Sequence, residues 1–83
     1  MMRIALTVEY ADGSGAEVTA SAPDLVAFER NFDTSMTVFG ANPRIEYVLW
    51  IAWHTLKRNG KTSEDFEKWM ENVDSVQFGD TPE

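Results

Sequence analysis

Residues 42–60 read NPRIEYVLWIAWHTLKRNG, and this stretch decides the fold. Asn42 before Pro43 is a cap followed by a residue preset for the first helical turn, and Asn59 with Gly60 suits left-handed termination. The spacing therefore predicts a helix between Pro43 and Asn59. Ile45, Val48, Leu49, Ala52, Trp53 and Leu56 follow i, i+3, i+4, i+7, i+8, i+11, a continuous apolar stripe and the expected centre of the core. Away from that stripe the helix is still apolar: Tyr47, Trp50 and Ile51 share a side with His54 and Arg58. A helix with two apolar faces is either sandwiched between other elements or leaves one face for a partner. In the first case a hairpin covers one side and helices the other. In the second, Tyr47, Trp50, Ile51, His54 and Arg58 form a partner-binding surface whose rings supply contact area at low entropic cost. The partner-binding surface is the expectation.

Toward the N-terminus, residues 3–10 alternate. Ile4, Leu6, Val8 and Tyr10 lie on one side and Arg3, Ala5, Thr7 and Glu9 on the other, the period of a half-buried strand. Asp12, Gly13, Ser14 and Gly15 tolerate positive φ, and Ala16, Val18 and Ala20 resume the alternation, so a β-hairpin is expected. Two strands alone are marginal and must lean on helices. Their edges are either protected within the domain or open to a strand from a second copy or a client. Ser21, Pro23 and Asp24 read as a helix start, with Leu25, Phe28 and Phe32 at helical spacing behind them. Residues 33–41 lack a helical repeat and read as a connecting loop whose Met36, Val38 and Phe39 cover core edges.

On the C-terminal side a third helix is expected from Thr62 or Ser63, with Phe66, Trp69, Met70 and Val73 as its buried face and acids in its first turn. Residues 79–83 read as a flexible tail. The fold class that follows is α+β: a single domain over residues 1–78, an N-terminal β-hairpin packed with three α-helices, the central one longest.

Composition narrows the function. Fourteen acidic side chains against seven basic ones give a net charge of -7, and the cations are scattered, so nucleic acid is not an expected partner. No apolar run approaches the roughly 20 residues needed to span a bilayer, and the start lacks a signal segment, so neither a membrane nor export is expected. With no cysteine, disulfides and thiolate metal sites are excluded. His54 has no hydroxyl, thiol or carboxylate supplied by a local motif, and no catalytic residue is assigned. Glu64, Asp65, Glu67, Glu71 and Asp74 wrap a surface instead of converging on a point, and the glycines match no phosphate-cradling loop. No metal or cofactor is expected.

The segments WIAWHTLKRNG (residues 50–60) and FEKWMENVDSV (66–76), with LVAFERNF (25–32), resemble the small tail assembly chaperones of long-tailed bacteriophages, of the siphovirus type. The resemblance implies a non-enzymatic protein in the cytoplasm of a host bacterial cell. It would bind the long, aggregation-prone tape measure protein and keep it soluble until tail tube subunits assemble around it, with many copies along one client. An acidic body with a spare apolar face is physically suited to shielding a hydrophobic helical client. Two other readings belong to different classes: an acidic inhibitor that mimics DNA, and a structural subunit of a phage head or tail.

Overall fold

The computed structural model describes residues 3–42 and 44–78. Strands β1 (Ile4–Tyr10) and β2 (Gly15–Ala20) are followed by helices α1 (Ala22–Phe32), α2 (Met36–Ala41), α3 (Ile45–Arg58) and α4 (Phe66–Met70), then by strand β3 (Val73–Phe78). The architecture is α+β with an N-terminal hairpin, and the longest helix is α3, as the stripe predicts.

The hairpin forms where the alternation places it. Its register runs from Ile4 opposite Ala20 to Glu9 opposite Gly15. At the turn Gly13 takes φ +93°, and the Asp12 carboxylate accepts hydrogen bonds from the Ser14 N–H at 2.9 Å and the Ser14 hydroxyl at 2.6 Å. These bonds hold the Asp12 carboxyl below its ordinary pKa.

The hairpin is two-thirds of the sheet. The third strand, β3, pairs antiparallel with β1 on its other side, giving the order β2-β1-β3. Opposite Tyr10 stands Val73 and opposite Glu9 stands Ser75, so Asp74 is an inserted residue, a bulge. The expectation of a helix through Val73 follows from the spacing of Phe66, Trp69, Met70 and Val73, which runs past the end of α4 into the strand. The bulge breaks the two-residue period and brings Val73 and Val76 to the same face at a spacing of three, so the alternation of β3 does not extend back to Val73. The actual helix α4 is only a turn and a half, capped by Asp65, whose carboxylate accepts from the Lys68 N–H at 2.9 Å.

Two further corrections concern helix starts. The segment expected as a loop contains α2, capped by Ser35, whose hydroxyl accepts from the Val38 N–H at 3.3 Å. Asn42 closes that helix instead of opening the next, and α3 is preceded by Arg44 at its N-cap. Pro43 and residues 79–83 lie outside the described residues. The other end of α3 is as expected. Gly60 takes φ +75°, and the N–H groups of Gly60 and Lys61 return to the carbonyls of Lys57 and Leu56 at 3.1 and 2.8 Å, satisfying the last turn.

α3 packs on β2 on one side, on α1 on another, and on α4. The core closes around Leu6, Val8, Val18 and Ala20 from the sheet, Leu25 and Phe28 from α1, Phe39 from α2, Val48, Ile51, Ala52 and Leu56 from α3, and Trp69 from α4. The indole N–H of Trp53 donates to the Glu64 carbonyl at 3.0 Å and that of Trp69 to the Tyr10 hydroxyl at 3.2 Å, pinning the α3–α4 connection and α4 to the rest.

Candidate functional site

The five residues expected to face a partner are brought together by the fold, against α1. Ile51 is fully buried and Trp50 is 9% exposed. Tyr47, half-buried, lies with its ring centroid 5.0 Å from that of Phe28 and 4.9 Å from that of Phe32, and the Trp50 ring stands 5.7 Å from Phe32. The sandwich therefore holds: β2 takes one side of α3 and α1 the other. Trp50 and Ile51 are core residues, a correction with a simple cause. The apolar stripe of α1, Leu25, Phe28 and Phe32, itself needs a surface to bury against, and the second face of α3 supplies it.

His54 and Arg58 occupy the polar end of the same contact. One helical turn apart, they reach across to Asp24 in the first turn of α1. The Asp24 side chain is completely buried, and four donors converge on it: the Ser21 N–H at 3.0 Å, His54 Nδ1 at 2.7 Å, and Arg58 Nε and Nη2, each at 2.9 Å. The fork from Arg58 is bidentate, and the carboxylate fixes the imidazole with its proton on Nδ1. Burial pushes the Asp24 carboxyl up, but the hydrogen bonds from Arg58, Ser21 and His54 and the charge of Arg58 outweigh it, holding the pKa at about 2 against an ordinary 3.8. The same bonds raise the Arg58 guanidinium above its usual value. The imidazole also stacks on Trp50, with centroids 5.1 Å apart and planes at 20°. This constellation clasps α1 to α3; it engages the polar ends of both predicted docking residues in intramolecular bonds.

The bare apolar surface lies elsewhere. Along the inner face of the sheet, Leu6 is 1% exposed on β1, whereas Phe78, directly opposite it on β3, is 52% exposed. The reason is the width of the layers. Strands lie about 4.8 Å apart and a helix is roughly 10 Å across, so one helix covers about two strands. α3 packs on β2, and the sheet's far strand extends beyond its cover. What results is a groove of about 210 Å³ lined by Ile45 and Leu49 of α3, by Met70, and by Val73 to Val76 of β3. Ile45 is 63% exposed at its mouth.

The helical spacing points Ile45 and Leu49 to the core stripe and Met70 and Val73 to a buried helical face. It gives Val76 and Phe78 no role. The alternation of Val76 and Phe78 with Ser75 and Gln77 was the available signal for a strand. A second concavity, about 610 Å³, lies over the hairpin turn and the outer face of the sheet, with Thr7, Glu9, Glu17 and Asp74 among its lining. It is the solvated side of the sheet. Among the described residues, no cluster of three or more histidine, cysteine or acidic side chains is placed to hold a metal ion, and no helix is long and apolar enough to cross a membrane. Comparison of the chain with protein-family models, with curated proteins and with solved structures gives no match.

Proposed function

We propose that this chain is a non-enzymatic protein-binding domain that works as a phage tail assembly chaperone, holding an apolar segment of a long helical client, the tape measure protein, until the tail tube assembles around it. The observation that carries the reading is the groove beside α3, where Ile45 stands open to solvent over half-buried Val73 and Val76. An apolar surface left bare in a domain this small is a liability unless a partner covers it. The surface charge supports the same reading, because a net charge of -7 keeps the protein and its cargo dispersed. So does the resemblance of residues 25–32, 50–60 and 66–76 to such chaperones. The docking surface sits in the groove and not on the Trp50 face, which α1 occupies. No reaction is assigned to His54, whose Nδ1 is bonded to Asp24 and whose ring lies on Trp50.

The test is co-expression with a long helical tape measure protein, scoring the soluble fraction of that protein. The wild-type chain is expected to raise it, and Ile45→Glu to return it to the level seen without the chain. A variant as effective as wild type, or a wild-type chain with no effect, would overturn the proposal. A stoichiometric place for this chain in finished particles would make it a structural subunit instead.

A further inference from the structure

The last turn of α3 ends on two residues able to react with one another. Asn59 and Gly60 are both exposed, and Gly60 has no side chain to hinder the approach of its backbone nitrogen to the Asn59 side-chain amide. The other asparagines, Asn31, Asn42 and Asn72, are followed by Phe32, Pro43 and Val73, where a bulky side chain crowds that approach or no N–H exists. In the folded chain the two groups are held apart. Asn59 takes φ -87° and ψ 6°, so the Gly60 nitrogen eclipses the backbone nitrogen of Asn59 and is turned away from its side chain. The Gly60 N–H donates to the Lys57 carbonyl at 3.1 Å, and the Lys61 N–H to the Leu56 carbonyl at 2.8 Å. Arg58, immediately before the pair, is fixed by its two hydrogen bonds to Asp24.

We infer that Asn59 is a self-modification site of this chain, a deamidation whose rate is set by fraying of the last turn of α3 and whose product weakens the α1–α3 clasp. The Gly60 nitrogen, having given its proton to hydroxide, attacks Cγ of Asn59. The new C–N bond closes a succinimide ring, and the side-chain nitrogen leaves as ammonia, taking its extra proton from water. Water then adds to one ring carbonyl and opens the ring, to aspartate where the new C–N bond breaks and to isoaspartate where the original main-chain bond breaks. The ring cannot close at ψ 6°, so the reaction passes through a state in which the Gly60 hydrogen bond is broken and the last turn is open. The cap bonds and the fork from Arg58 to Asp24 together hold that turn shut. Both products work against it. A carboxylate at position 59 stands at the negative end of the α3 dipole. Isoaspartate also adds a carbon to the main chain before Gly60, which moves the N–H groups of Gly60 and Lys61 off the Lys57 and Leu56 carbonyls. Arg58 is the adjoining residue, so its grip on Asp24 loosens with the turn.

The experiment incubates the full chain at mildly alkaline pH, in buffer and in denaturing urea. Peptide mass mapping follows the exchange of an amide for an acid, and methyltransferase labelling scores isoaspartate. Expected are conversion at Asn59 ahead of Asn31, Asn42 and Asn72, and a rate at least about tenfold higher in urea than in buffer, the mark of a reaction that waits for opening. Urea below the unfolding midpoint should leave the rate nearly unchanged, because fraying one turn exposes little surface, whereas a route through global unfolding would climb steeply. Asp24→Asn leaves the sequence around the pair untouched; it should react severalfold faster than wild type in buffer and at the same rate in urea. The purified isoaspartate product should melt below the unmodified chain. Earlier conversion at another asparagine would overturn the assignment of the site. Equal rates in buffer and urea, a steep rise in urea below the midpoint, or a rate indifferent to Asp24→Asn would each overturn the control by the last turn and its clasp. A product that melts with the unmodified chain would overturn the effect on the clasp.

Discussion

Replacing Asp24 with asparagine removes the charge on which the α1–α3 clasp converges while preserving its shape. A carboxyl held at about 2, against an ordinary 3.8, binds its proton less readily in the folded chain than in the unfolded one. Stability therefore rises with pH across that interval; the contribution is complete above the ordinary value and is lost as the pH falls through the folded value. At roughly 1.4 kcal/mol per pKa unit the clasp contributes about 2 kcal/mol at neutral pH. Part of the exposed cost of removing it is offset, because Arg58, 36% exposed, and His54, 25% exposed, can turn to water. On a domain of this size, 2 kcal/mol corresponds to a midpoint shift of roughly 8–16 °C. The assay is urea unfolding of wild type and Asp24→Asn, followed by tryptophan fluorescence from neutral pH down to about pH 2. The other carboxylates titrate in both proteins and cancel in the difference. The gap should be near 2 kcal/mol at neutral pH and should shrink below about pH 4 as the wild-type carboxyl takes up its proton. A gap that stays constant over the whole range, or one under about 0.5 kcal/mol at neutral pH, would refute the reasoning.

Other variants separate core from surface. Trp50→Asp places a carboxylate among Phe28, Phe32 and Trp53; it should cost more than about 4 kcal/mol, enough to abolish the cooperative transition by circular dichroism, and a folded variant would put Trp50 back on the surface. Ile45→Glu, by contrast, should change the urea midpoint by no more than about 0.5 kcal/mol equivalent, since the side chain already stands 63% exposed; a large loss would place it in the core. Gly60→Val forces a β-branched residue to φ +75° and should lower stability by about 1–2 kcal/mol in thermal melts, whereas Gly60→Asn should be milder.

Local signals in the chain were sufficient for the elements whose geometry they dictate directly. The alternation of Ile4, Leu6, Val8 and Tyr10 and the Asp12–Gly15 turn specify the hairpin, and the repeat from Val48 to Leu56 closed by Gly60 specifies α3. They were insufficient where two patterns coincide. The helical spacing of Phe66, Trp69 and Met70 continues to Val73 in β3, where the inserted Asp74 interrupts the strand's alternation, and the six residues of α2 are too few to display a repeat. The candidate site was illegible for a related reason. Periodicity reveals that α3 has two apolar faces, but not that α1 takes one and β2 only part of the other, leaving Ile45 and Leu49 at a groove beside β3.

The sequence by itself thus determined the class of the fold, the hairpin, the long central helix and the excess of negative charge, because each follows from backbone preference, side-chain period or composition. Only the tertiary structure decided that His54 and Arg58 close on a buried Asp24 thirty and thirty-four residues away, and that the bare apolar surface runs beside Ile45 along β3. Those outcomes depend on how many strands one helix can roof, a matter of packing between segments that no local pattern encodes.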